Sequence, residues 1–204
     1  MSNATRPALL MVSMEPPAAL EEEFNDWYDT EHFPQRIALP GFVSASRWVY
    51  VDGWPRWMAL YDLASIDALK SDAYRTVSGA QSTPWSRRLL PRTVGRSRVV
   101  AVGLDDQDAV QYEAHCVSRL LAISVPLTAG TASAESVVAA VREALAARAD
   151  LLQLRGFVEN GETLWILAAF DSPVTSALAA QIGRPCGAGI RTFNLYVPYR
   201  RSSY

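Results

Sequence analysis

The sequence predicts an α+β fold in which one β-α-β-β-α-β unit is written twice along a chain of 204 residues. Three observations predict it. Apolar runs of strand length alternate with longer helical stretches, and proline and glycine stand at the boundaries. A polar stretch, Asp105 to Glu113, divides the chain near its middle. The same apolar words then recur in the same order: Leu9-Leu10-Met11-Val12-Ser13 with Leu120-Leu121-Ala122-Ile123-Ser124, Gly41-Phe42-Val43 with Gly156-Phe157-Val158, and Tyr61-Asp62 with Phe170-Asp171.

Taken in order, Ala8 to Met14 reads as a strand closed by Glu15-Pro16-Pro17, after which a helix runs from about Ala18 to Ile37. Pro40-Gly41 breaks the chain before a strand from Phe42 to Val51, and Asp52-Gly53-Trp54-Pro55 turns it into a third strand from Arg56 to Leu63. Ser65 is placed to cap a helix from Ile66 to Val77, and Thr83-Pro84 has the cap-then-proline order of a further helix start. Ser97 to Leu104 supplies the fourth strand, which completes a ferredoxin-like unit over residues 1–105. The second unit, residues 114–204, contains an alanine-rich helix from Ser133 to Ala149 and ends on a strand from Ile190 to Val197. Two such sheets can cover one another within one chain, giving an intrachain barrel.

Half of the residues are hydrophobic and the formal charge is -2, from 19 Lys and Arg against 21 Asp and Glu. That composition supports a large core and gives no net pull toward nucleic acid or an anionic membrane, so neither is expected as a partner. The arginines at 87, 88, 92, 96 and 98 are the only basic run; solvation or pairing with surface acids is the favoured reading and an anion site the alternative. Cys116 and Cys186 fit no zinc or disulfide spacing, so no metal is expected and a reducing cytoplasm is the natural setting. No apolar run reaches the roughly 18 residues of a membrane span, and no secretory signal is present. Phosphate-binding loops, dinucleotide fingerprints, hydrolase elbows and zinc-protease motifs are absent, and no cofactor is expected.

The chemistry concentrates between Glu23 and Pro40. At roughly 100° per residue, Phe24, Trp27, Tyr28 and Glu31 share one helix face and Asn25, Asp29 and His32 line its flank. His32 is the acid/base candidate because an imidazole titrates near neutrality; the competing reading is a helix-end cap. Asp29 is placed to orient it. Glu31, among aromatics, either has a raised pKa or pairs with Arg47 on the following strand, and the pair is the favoured reading. Asn25 and Tyr28 are candidate holders of a developing oxyanion, and Trp27 with Trp48 a dry wall. The helix in the matching position of the second half carries Val137, Val138, Val141 and Leu145 instead. The site is therefore expected in the first half alone.

Glu23-Phe24-Asn25, Trp27-Tyr28-Asp29, Glu31-His32, Pro34, Pro40-Gly41-Phe42, Arg47, Tyr61-Asp62 and Thr83-Pro84-Trp85 together resemble the EthD-like members of the dimeric α+β barrel superfamily over roughly the first hundred residues. The resemblance implies a ferredoxin-like sheet that pairs with another, helices outside, and a cleft between helix and sheet. Related barrels include cofactor-free monooxygenases, muconolactone isomerase-like enzymes, polyketide cyclases and haem-degrading enzymes, so the fold does not choose a reaction. This chain departs from the simple pattern by carrying two units. The expected function is proton transfer on a small hydrophobic or aromatic carbonyl compound, by an isomerase, cyclase or cofactor-free oxygenase. The alternative is a non-catalytic small-molecule binding or accessory protein. Tyr196, Pro198 and Tyr199 near the C-terminus are candidates to reach a second copy in a homodimer.

Overall fold

The computed structural model describes residues 6–51, 54–128, 132–186 and 189–201. Its eight strands are β1 (Ala8–Glu15), β2 (Phe42–Tyr50), β3 (Trp57–Leu63), β4 (Val94–Gly103), β5 (Arg119–Pro126), β6 (Leu151–Glu159), β7 (Thr163–Phe170) and β8 (Thr192–Pro198). They close into one antiparallel barrel in the order β1-β3-β2-β8-β5-β7-β6-β4. The first four strands run β4-β1-β3-β2 and the last four β8-β5-β7-β6, so the two halves have the same internal order. Two seams join them: β2 meets β8 over Trp48–Pro198, Val49–Val197 and Tyr50–Tyr196, and β4 meets β6 over Val102–Val158 and Gly103–Phe157.

Because strand side chains alternate, each strand serves two cores. Leu9, Met11, Trp48, Met58, Leu60, Phe157, Leu167 and Tyr196 point into the barrel. Leu10, Trp57, Ala59, Tyr61 and Leu63 point outward under the helices of the first half, where Phe24, Trp27, Tyr28 and Leu89 cover them. The second half buries an aliphatic layer, Leu121, Ile123, Ile166 and Ala168 against Val137, Val138 and Val141 of α5 (Ala134–Ala144) and Ile182 of α6 (Leu178–Cys186).

The helix expected over 18–37 is present but not uniform. A short 3-10 turn, Ala18–Leu20, leads into α1 (Glu21–Trp27), then a π turn over Tyr28–His32, then α2 (Phe33–Ile37). In the π turn the Phe33 N–H donates to the Tyr28 carbonyl five residues back, which inserts one residue into the turn and shifts every later side chain around the axis.

The helix expected over 66–77 is also broken, into a 3-10 segment Ile66–Lys70 and α3 (Asp72–Arg75). Ser71 lies in extended backbone between them, and its hydroxyl accepts from Tyr74 N. Ser65, Thr83 and Ser133 cap their segments by accepting from Asp67, Ser86 and Ser136 N, the last two starting α4 (Pro84–Leu89) and α5. The polar stretch after β4 is not a loose linker. Asp108, 4% exposed, accepts from Leu104, Asp105 and Gly156 N and ties it to β6. Asp52 and Gly53 of the expected turn lie outside the described residues.

The C-terminal strand is used within the chain. Tyr196 is 2% exposed in the barrel, so it is not available to a second copy, and the Tyr199 ring, half-buried, stands 4.9 Å from that of Trp57. Among the described residues no helix is long and apolar enough to cross a membrane.

Candidate functional site

The layer between α1, the π turn and α2 on one side and β2–β3 on the other gathers most of the residues singled out in the sequence. Its centre is Arg47, whose side chain is 5% exposed. Arg47 donates to Asp29 Oδ1 and Asn25 Oδ1, each at 2.7 Å. Its guanidinium carbon lies 4.4 Å from the ring centroids of both Tyr28 and Tyr199, with Trp57 and Phe24 at 5.1 and 5.7 Å. A cation so enclosed is offset by one carboxylate, one amide and four π faces.

Three expectations change with that geometry. Glu31 does not pair with Arg47. The π turn rotates it out of the aromatic face, where it accepts from Thr83 Oγ1 at 2.5 Å and ties the helix to the cap of α4. Asp29 does not orient His32, because one carboxylate oxygen is taken by Arg47 and the other, buried, has no partner. Trp48 forms no wall with Trp27: Trp27 lies between helix and sheet, while Trp48 lies inside the barrel and donates to Ser46 Oγ. Strand alternation required that separation, since Arg47 and Trp48 are consecutive and face opposite sides.

His32 takes the place that a uniform helix gives to Glu31. Its ring lies 4.3 Å from Trp27 and 5.2 Å, edge to face, from Tyr28. Its Nδ1 is buried with no hydrogen-bond partner. Burial, then the positive charges of Arg36 and Arg47, hold its pKa well below that of a free imidazole, so it is neutral at physiological pH. Burial also raises the Tyr28 hydroxyl to about 12 and the Tyr61 hydroxyl well above its ordinary value.

Sequence reasoning did not select Arg36 or Tyr61. Arg36, in α2, is 6% exposed, and its Nη2 donates to the Val77 carbonyl at 2.8 Å while its Nη1 has no partner. Tyr61, 1% exposed on β3, also has an unpartnered hydroxyl, and Trp57 an unpartnered Nε1. Arg36 gave no signal because a uniform helix from Tyr28 onward aims it elsewhere; Tyr61 carried one, by alternating with Trp57 and Ala59 on a single strand face. Beside this layer a cleft of about 220 Å³ is lined by Asp29, Phe33, Arg47, Tyr199 and Arg200. Phe33 joins the two regions, its ring lying 6.1 Å from that of Tyr61.

A second polar group closes one end of the barrel. Arg155, fully buried, donates to Asp62 at 2.5 Å and to the Tyr112 hydroxyl at 3.0 Å, and Ser44 donates to the other Asp62 oxygen. A cleft of about 310 Å³ lies over Ser44, Asp62, Tyr112 and His115. The pair joins the halves across the interior, although Arg155 Nε is left without a partner. Only the alternation of Arg155 with Phe157 along β6 could have signalled it.

The two histidines do not fit a haem: His32 is packed against Trp27 and Tyr28, and His115 stands exposed against Glu113 at 2.7 Å. Among the described residues no group of three or more His, Cys, Asp or Glu could hold a metal ion.

No protein-family model matches the chain, and no curated protein is similar to it in sequence. Solved structures are similar to it in fold. An anthrone oxidase-like protein superposes with a TM-score of 0.62 at 12% identity, covering 96% of this chain and 92% of its own. A protein provisionally named a monooxygenase, from Lactobacillus acidophilus, gives 0.61 at 8% identity, with 95% and 93% covered. A haem-binding protein from Thermus thermophilus gives 0.57 at 12%, with 96% and 92% covered. At these identities the likeness shows the fold alone: a mixed α+β chain built on an eight-stranded antiparallel barrel.

Proposed function

We propose that the chain is a small-molecule enzyme of oxidase or monooxygenase type, with its site between the helix and sheet of the first half. The observation that carries this reading is a set of buried polar atoms without partners. Those of Asp29, His32, Arg36, Trp57 and Tyr61 fall in this layer, and among the described residues only Arg119 and Arg155 contribute others. A buried polar atom left unpaired costs about 1–3 kcal/mol, so several in one aromatic layer mark a place where a ligand completes the bonding.

The ligand class is a hydrophobic or aromatic carbonyl compound, with Tyr28, Phe33, Phe42 and Tyr74 supplying ring faces. The names of the oxidase-like and monooxygenase-like neighbours support the reaction class. In this reading His32 takes a proton from an activated carbon or phenolic hydroxyl, and the anion that remains is oxidised by molecular oxygen; an anthrone would give the quinone and water. His32 is a weak base in the free protein. A ligand anion beside it opposes the charges of Arg36 and Arg47 and raises its basicity when it is needed. Asn25 and Asp29 act through Arg47 as positioning residues.

The same reading takes the chain as EthD-like and as a duplication of ferredoxin-like repeats, residues 1–105 and 114–204, the first holding the site. The common strand order and the recurring sequence words support it. The isolated thiols Cys116 and Cys186 support a cytoplasmic setting.

A second reading, a non-catalytic binding protein, is favoured by one observation: the only histidine in the layer is packed against Trp27 and Tyr28 and held weakly basic. Oxygen uptake with anthrone in air-saturated buffer separates the two. The enzyme reading expects uptake above the uncatalysed rate, with the quinone as product, and a loss of about 10²-fold or more in His32→Ala with binding retained. Binding without turnover of any phenolic or carbonyl compound leaves the binding protein.

A further inference from the structure

Arg36 is a buried cation for which the described residues supply no anion. Arg47 has Asp29, Arg155 has Asp62, and Arg56 has Glu15 and Glu21. Arg36, 6% exposed, makes no ion pair with a described residue; its polar contact is the Val77 carbonyl, and its guanidinium stands 5.8 Å from the Tyr74 ring centroid. The titratable groups whose charges reach it are hydroxyls, those of Tyr28, Tyr61 and Tyr74. Its own charge bears on His32 and on the Tyr28 and Tyr61 hydroxyls, and the His32 ring lies 5.2 Å from that of Tyr28. A buried charge without a counter-charge is among the costliest features a core can hold.

Resting on the site location proposed above, but not on turnover there, we infer that its ligand carries an oxyanion, a carboxylate, phenolate or enolate oxygen, bound on Arg36 Nη1. The Tyr61 hydroxyl and His32 Nδ1 are the neutral partners of the same ligand. Three unpartnered buried atoms of suitable chemistry support this: a cationic N–H donor, a hydroxyl, and an imidazole nitrogen able to donate or accept according to tautomer. Burial keeps the Tyr28 and Tyr61 hydroxyls protonated, so neither neutralises Arg36 in the ligand's place. The aromatic surround requires the rest of the ligand to be apolar and favours a flat one. Its way in passes Phe33, which borders both the open cleft and Tyr61.

Benzoate and benzamide, nearly equal in shape and different in charge, test this by titration calorimetry. Wild type is expected to bind benzoate at least about tenfold tighter than benzamide. Arg36→Met should abolish that preference, and Arg36→Lys, which keeps the charge but not the fork, should retain part of it. Ligand-free Arg36→Met should melt at or above the wild-type temperature, because it removes an unpaired buried cation, whereas a purely structural Arg36 predicts a lower one. Should Arg36→Met not fold, Tyr61→Phe serves in its place, weakening benzoate more than benzamide. Equal affinity of the two probes in wild type, binding of neither, or a preference unchanged in the variants overturns the inference. A benzoate preference without oxygen uptake upholds it while the enzyme reading fails; uptake without the preference does the reverse.

Discussion

At the scale of single residues, the first-half layer contains two buried arginines in opposite states. Arg47 is fully engaged, and replacing it with Met leaves the half-buried Asp29 carboxylate without its counter-ion. Arg47→Met is therefore expected to lower stability by about 2–4 kcal/mol in denaturant titration, since removing one partner of a buried pair costs more than the pair contributes. A change below about 0.5 kcal/mol would show the cage to be decorative. His32 gives a prediction in pH. Its folded pKa lies well below its unfolded value near 6.5, so the unfolded chain takes up the proton first. Stability from this group is unaffected above about pH 7 and falls as the pH drops below about 6.5. Wild type should lose more melting temperature than His32→Phe between about pH 7.5 and pH 5.5; parallel curves would contradict the assignment.

The elements show what was legible in the sequence and what was not. Strands were legible because alternation and proline or glycine boundaries are local, so β1, β2 and β3 lie where expected to within a residue or two. The caps Ser65 and Thr83 were legible for the same reason. The π turn was not, because no residue in Tyr28–His32 demands it; the packing of His32 on Trp27, with Glu31 reaching Thr83 across 52 positions, sets it. From that one inserted residue followed the misplaced Glu31 and the unnoticed Arg36. Deleting Thr30, which is exposed, should return the segment to a regular helix and move His32 off Trp27. Circular dichroism should show the fold retained, while the His32 pKa measured by NMR rises toward that of a free imidazole. A His32 pKa that does not move would mean the turn is not what buries the ring.

For the whole molecule, closure depends on two short seams, three paired positions between β2 and β8 and two between β4 and β6. The interior they seal contains Leu9, Met11, Trp48, Met58 and Leu60 from one half and Phe157 and Leu167 from the other. Residues 1–105 alone would leave that apolar sheet face bare, and are expected to self-associate in size-exclusion chromatography; a well-dispersed monomer would contradict a shared core. The recurring words of the sequence run in parallel with the strand order that the two halves share. The sequence could not convey the link between Asp62 and Arg155, which lie 93 positions apart and meet only once the barrel has closed. The halves then differ in what their outer layers hold. One is mostly aliphatic; the other is aromatic and, among the described residues, holds most of the buried polar atoms without partners.

A crystal structure of the protein grown with benzoate puts that asymmetry to its sharpest test. We expect a carboxylate within hydrogen-bonding distance of Arg36 Nη1, contacting Tyr61 or His32, with its ring among Phe33, Phe42 and Tyr74. Benzoate confined to the barrel-end cleft over Asp62, or to the surface beside Arg200, with Arg36 still unpartnered, would contradict it.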